Sequence, residues 1–146
     1  MISVQVESKS FKDFMKQLKQ GTTNLAPAFR DFGAYMKKEV AEQFQQEVDP
    51  DGKAWEPLKP ATLAKKKTTT KLRETLKMFN SVYYIADDKH FEYGIKDEKY
   101  KFHHEGTVNM PARVVVGISN VRRKKLNDLV IAQIRRVKGK NAARKK

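Results

Sequence analysis

Apolar residues recur along this chain in two distinct rhythms. In residues 24–48, Leu25, Phe29, Phe32, Met36, Val40 and Phe44 fall four and three apart, the spacing that gathers side chains on one face of an α-helix. Asn24 is placed to cap that helix, and Pro27 is tolerated in its first turn, whose amides have no intrahelical partner. Helical throughout, this segment would run roughly 37 Å at 1.5 Å per residue, which makes it the expected spine of the fold. It must stop at "DPDG", residues 49–52, where proline and glycine arrive together.

The flanks follow the same logic. Upstream, "ISVQV" alternates with Ile2, Val4 and Val6 on one side, as in a short strand. Ser10 followed by Asp13 resembles a capping box, and Phe11, Phe14, Met15 and Leu18 form a helical stripe ending at Gly21. Downstream, Thr62 is placed to cap a short basic helix, and "LRETLKMFNSV" offers a stripe of Leu72, Leu76 and Phe79. The period then changes to two. Val82, Tyr84 and Ala86 share one face, and Phe91, Tyr93 and Ile95 continue the alternation after "DDK", which predicts a hairpin. "RVVVGIS" reads as a third strand in this region, apolar enough to be central. Asn120 is placed to cap a last helix carrying Leu126, Leu129, Val130, Ile134 and Val137, closed by Gly139.

The predicted architecture is α+β: a long amphipathic helix and shorter helices packed on a small antiparallel sheet, with a basic C-terminal helix. No repeat and no linker divides the chain. One domain is expected over residues 1–138, followed by a disordered basic tail at 139–146. A chain of 146 residues suits one core that buries roughly two thirds of the unfolded surface.

Charge changes this picture by adding a partner class. The formal charge of +14 is concentrated in two blocks: residues 59–77 hold seven bases and one acid, and residues 122–146 hold eleven bases and one acid, Asp128. Such blocks attract polyanions, so nucleic acid or an acidic protein surface is the natural partner. Lys65, Lys66 and Lys67 lie in the first block, and Arg122, Arg123, Lys124 and Lys125 begin the second. The latter four occupy the first turn of the last helix, where the helix dipole disfavours cations and an external anion would relieve them. Arg135, Arg136 and Lys138 sit at the favourable end of that helix. The absence of cysteine removes disulfides and thiol chemistry and suits a reducing compartment. The N-terminal residues form no apolar run of signal-peptide or membrane-span length, so the chain is expected to stay or mature in the cytoplasm.

Candidate chemistry is sparse. Asp49 and Asp51 suggest a calcium loop, but the later ligand positions hold Lys53, Trp55, Pro57 and Pro60, none of which is a side-chain oxygen donor. A helix-ending turn fits better, with both aspartates bonding backbone amides and Gly52 at positive φ. Adjacent His103 and His104 point in different directions on a helix or strand and do not readily share one metal ion. No nucleophile elbow or phosphate-cradling loop is present, and paired acids such as Asp87 with Asp88 read as solvated turns. A hydrolase built on His103 and Glu105 is the weakest reading. No cofactor is expected.

Several phrases then align in one order. "DPDGKAWEPLKPATL", "LRETLKMFNSV", "YKFHHEGT" and "MPARVVVGIS" together resemble the phage virion morphogenesis family, which includes tail completion proteins, over about residues 1–120. Asp49, Pro50, Asp51, Gly52 and Trp55 match its acid, Pro, acid, Gly, x, x, Trp pattern after a long helix. Leu72, Arg73 and Thr75 match a Leu-Arg-x-Thr-Gly phrase, with Leu76 where glycine is usual. Tyr100, His103 and Gly106 match a Tyr-Ala-x-x-His-x-x-Gly phrase with Lys101 in place of alanine, and Pro111, Ala112 and Arg113 match Pro-Ala-Arg.

The resemblance implies a structural, non-enzymatic virion protein, assembled in the host cytoplasm, that completes the tail or joins it to the head. It further implies a homo-oligomeric ring around the DNA path, partnered by other tail and neck or connector proteins, with nonspecific contact to packaged DNA and no membrane. In that setting Trp55 and its turn are scaffold. The competing expectation is a sequence-independent DNA-binding protein that grips phosphates with residues 59–77 and 122–146, whose affinity would fall steeply with salt.

Overall fold

The structure is a computed structural model that describes residues 2–5, 24–73 and 75–144. The helix expected between Ser10 and Gly21, and the Val6 end of the first strand, lie outside the described residues.

The long stripe does what its spacing predicts. Helix α1 spans Ala26–Gln46, and all six stripe residues, from Leu25 to Phe44, are buried in one core cluster. Asn24 accepts a hydrogen bond from the Ala26 amide at 2.9 Å through its side chain. Leu25 itself occupies the capping position, so the cap falls one residue later than expected. At the far end Glu47 turns left-handed, with φ 57°, and its amide reaches back to the Gln43 carbonyl.

The helix packs on a three-stranded antiparallel sheet in the order β1 (Ile2–Gln5), β3 (Phe91–Ile95), β2 (Val82–Ala86). The register pairs Val82 with Ile95, Tyr84 with Tyr93 and Ala86 with Phe91, so the alternating apolar set read from the sequence lies on one face. Phe91 meets Phe32 edge-on at 4.9 Å between ring centroids. Gly33 lets α1 lie close over the sheet: a Cβ there would stand 2.4 Å from the Tyr84 ring.

Three expectations between residues 59 and 119 fail for reasons a local reading misses. Helix α2 is a single turn, Pro60–Leu63, with Lys59 at its cap. Thr62 is therefore interior, and its amide bonds the Lys59 carbonyl. "LRETLKMFNSV" forms only the short helix α3, Lys77–Asn80, because Leu72 and Leu76 take left-handed φ values of 58° and 55°. Such φ values cost an L-residue about 1–2 kcal/mol. Leu76, 44% exposed, stands where the resembled phrase carries glycine, the residue that adopts this conformation freely. Leu76→Gly is accordingly expected to hold stability level or raise it by up to about 1 kcal/mol, read from the urea midpoint. The third failure is "RVVVGIS", which forms no strand.

Helix α4 covers Tyr100–Glu105 and ends at Gly106, φ 73°. A Cβ at Gly106 would come within 2.9 Å of the Ala112 amide nitrogen. Helix α5 spans Asn120–Ala143 and lies against α1. Its cap is Ser119, whose hydroxyl accepts from the Arg122 amide at 3.3 Å, and Asn120 is the first helical residue instead. Leu126, Val130 and Ile134 face the core. The helix passes through Gly139 instead of closing there.

Candidate functional site

The 49–55 loop is a self-fastened turn. One Asp49 carboxylate oxygen accepts from the amides of Asp51, at 2.9 Å, and Lys53, at 2.8 Å, which gives two loop amides beyond the end of α1 an acceptor. Gly52 sits at φ 87° with its amide on the Asp49 carbonyl. Asp51 contributes its amide, and its side chain is exposed. Val48 and Ala54 form an isolated bridge, and the Trp55 amide bonds the Glu47 carbonyl at 2.8 Å. These contacts deliver the indole into the core. Trp55 is 5% exposed and meets Phe44 edge-on at 5.7 Å, a favourable aromatic geometry. Its Nε1–H donates to the Val114 carbonyl at 2.9 Å.

That last bond explains why residues 113–117 are not a strand. A buried segment must satisfy its backbone polar groups, and here side chains supply the partners. The Tyr100 hydroxyl accepts from the Val115 amide at 3.2 Å and the Val116 amide at 2.8 Å. The Tyr93 hydroxyl accepts from the Gly117 amide at 2.7 Å and donates to the Gly117 carbonyl. Gln43 Nε2 donates to the Val115 carbonyl at 3.2 Å, and the Arg113 amide donates to the His103 carbonyl at 2.6 Å. Pro50 presses on the same segment, since a Cβ on Gly117 would lie 2.8 Å from its ring. Phrases far apart in sequence thus converge on one buried strip.

Burial raises the Tyr100 phenol to about 12 against the opposing pull of the two amides it accepts from. The Tyr93 phenol is raised for the same reason. A folded value above the unfolded one of about 10 contributes stability that is fully present below pH 10 and lost as pH climbs toward 12. Tyr100→Phe is expected to cost about 1–3 kcal/mol at neutral pH by stranding two buried amides. It should also flatten the alkaline fall in stability, measured by urea unfolding between neutral pH and pH 12.

The predicted cations divide into two groups. Arg122 belongs to the interior: it is 2% exposed and donates to the Gly117 carbonyl at 3.2 Å and to Gln43 Oε1. Glu39 lies 3.8 Å from its Nε. Arg122, by sequence a candidate polyanion or partner contact, is therefore a structural clamp inside the fold instead. Arg123, Lys124 and Lys125 do face outward, with Lys124 paired to Asp128 at 2.7 Å and Lys125 over the Tyr35 ring at 5.7 Å. Lys65 and Lys67 are exposed, and Lys66 is half-buried with its ammonium on the Thr70 carbonyl at 2.9 Å. The two exposed groups sit on different elements, the α2 exit and the start of α5.

Two other titratable clusters have structural work. Burial of the Glu47 carboxyl opposes its ionisation, but the Lys71 ammonium and amide, at 2.5 and 2.7 Å, outweigh it and hold the group below the usual carboxylate range. His104 Nδ1 lies 2.5 Å from the Tyr100 hydroxyl, whereas His103 faces elsewhere, so the neighbouring rings are not a chelating pair. Among the described residues no group of three metal-ligating side chains converges.

Sequence reasoning missed the roles of Gln43, Tyr93 and Tyr100. Only Gln43 left a signal: it is a polar residue beside Phe44 on the buried face of α1, and such residues usually have a dedicated hydrogen-bond partner.

In comparison with known proteins, the family model described as the phage virion morphogenesis family matches residues 6–135. No curated protein and no solved structure matches. The matched span is most of the chain, and the chain belongs to that family, whose members are structural and non-catalytic.

Proposed function

We propose, from membership of the phage virion morphogenesis family, that this tail-completion and head–tail joining protein works as a cyclic oligomer around the DNA path, binding tail and neck or connector proteins. The observation that supports this reading is the use to which its polar side chains are put. Tyr93, Tyr100, Gln43, Trp55 and Arg122 each direct hydrogen bonds to residues 113–117. The site candidates Asp49, Pro50, Asp51, Gly52 and Trp55 are then scaffold that shapes a docking body. The outward cations Lys65, Lys67, Arg123, Lys124 and Lys125, with the half-buried Lys66 between the first two, are its contacts to acidic neighbours or DNA. Among the described residues no helix is long and apolar enough to cross a membrane.

The test is a lysate of phage lacking this gene, viewed by electron microscopy. DNA-filled heads beside unattached tails are expected, and normal infectious particles would overturn the reading. A second reading, phosphate gripping by the basic segments, is favoured by the exposure of Arg123, Lys124 and Lys125. It requires binding to duplex DNA whose salt slope shrinks when these three are neutralised; a flat salt dependence excludes it.

A further inference from the structure

A cavity of about 310 Å³ opens between α2, α3, α4 and the 109–113 turn, at the Arg113 end of the strip fastened by Trp55. Its floor is apolar, supplied by Leu58, Leu72, Met78 and Met110. Its walls are cationic. Among the described residues, Lys59, Lys66, Lys99 and Arg113 line it against a single acid, Asp97. Arg113 is 4% exposed, and its guanidinium is aimed by donations to the carbonyls of Glu56 at 3.0 Å and Pro57 at 3.1 Å. Lys59 is drawn across the mouth by its bond to the Asn109 carbonyl at 2.8 Å. His103 completes the lining, and its Nδ1 is buried with no hydrogen-bond partner, an arrangement that costs stability unless something supplies the missing contact.

We propose that this cavity is a docking site for an acidic peptide segment of a neighbouring virion protein, an apolar side chain seated on the floor and an adjacent carboxylate held by Lys59, Lys99, Arg113 and His103. This rests on the assembly role stated above and names one of its contacts. Charge complementarity selects an anion. The field is independently visible at His103, where burial first and the Arg113, Lys66 and Lys99 charges after it all disfavour the protonated ring, with Asp97 opposing. The neutral ring with its proton on Nδ1 is a donor suited to a carboxylate. The apolar floor selects peptide over nucleic acid. A phosphodiester backbone gains nothing from Leu72, Met78 and Met110, whereas a leucine or phenylalanine beside an aspartate or glutamate uses floor and wall together.

The experiment titrates the full chain with the acetylated peptide Asp-Leu-Glu-Phe, its carboxylates free, and with the acetylated analogue Asn-Leu-Gln-Phe-amide, which carries no charge. Nuclear magnetic resonance follows the His103 imidazole and the Arg113 amide. Saturable shifts at these groups are expected for the acidic peptide. The neutral analogue, and the exposed-site double variant Lys59→Glu with Lys99→Glu, should each bind at least tenfold more weakly, about 1.4 kcal/mol. An unchanged urea midpoint in the variant separates lost binding from lost folding. Equal binding of both peptides, no shift with the acidic one, or its displacement by a short duplex DNA at the same residues overturns the proposal. If the peptide fails while the gene-deleted lysate still shows separated heads and tails, the cavity assignment falls and the assembly role stands.

Discussion

Trp55→Ala is expected to destabilise the protein by about 3–5 kcal/mol, the range for removing a large aromatic side chain from a packed core. The indole fills space against Phe44 and is nearly all buried, so truncation leaves a cavity that α1 and the 113–117 segment cannot both close. It also strands the Val114 carbonyl, which the indole N–H satisfies. Trp55→Phe keeps most of the apolar volume and is expected to cost only about 1–2 kcal/mol, mainly for that lost hydrogen bond and the reduced bulk. Urea unfolding of the three proteins checks the order. If both variants unfolded at the wild-type midpoint, Trp55 would not be scaffold.

Arg122→Ala is expected to cost about 3 kcal/mol, because it leaves Gln43 Oε1 buried without its donor and removes a packed aliphatic stem. The guanidinium sits between α1 and α5 and bonds Gln43 and Gly117 at once. Gln43 in turn holds Val115 and Val48, so loss of the arginine loosens the whole strip. Arg122→Lys preserves the charge but not the two-pronged geometry, and should recover only part of the stability. The adjacent Arg123→Ala is the control: an exposed side chain whose removal should stay within about 0.5 kcal/mol. Equal effects at 122 and 123 would contradict the inward placement of Arg122.

These two residues also show what a sequence reveals and what it withholds. The stripe of α1 was legible because helical spacing is a local property, and the same holds for the Val82 and Phe91 hairpin strands, whose faces follow from alternation. The turn that ends α1 was legible from its proline and glycine, and Asp49 fastens it with Gly52 at positive φ. Arg122 was not legible, because four consecutive cations look alike in sequence. Only the helix phase set by Ser119 and the position of Gln43, 79 residues away, turn one of them inward. "RVVVGIS" has strand composition, yet its amides and carbonyls find Tyr93, Tyr100, Gln43 and Trp55 side chains before any strand partner. Long-range side-chain bonds of that kind leave no periodic trace. At Leu72 and Leu76 the left-handed backbone opposes intrinsic preference, so a propensity argument necessarily extends the helix too far.

Cryo-electron microscopy of infectious particles tests the central claim most directly. The account predicts density for this chain at the joint between tail and head, with Trp55 enclosed inside each subunit and neighbouring proteins meeting its exposed surfaces. Particles that lack the chain, or a 49–55 loop opened around a bound ion, would contradict it.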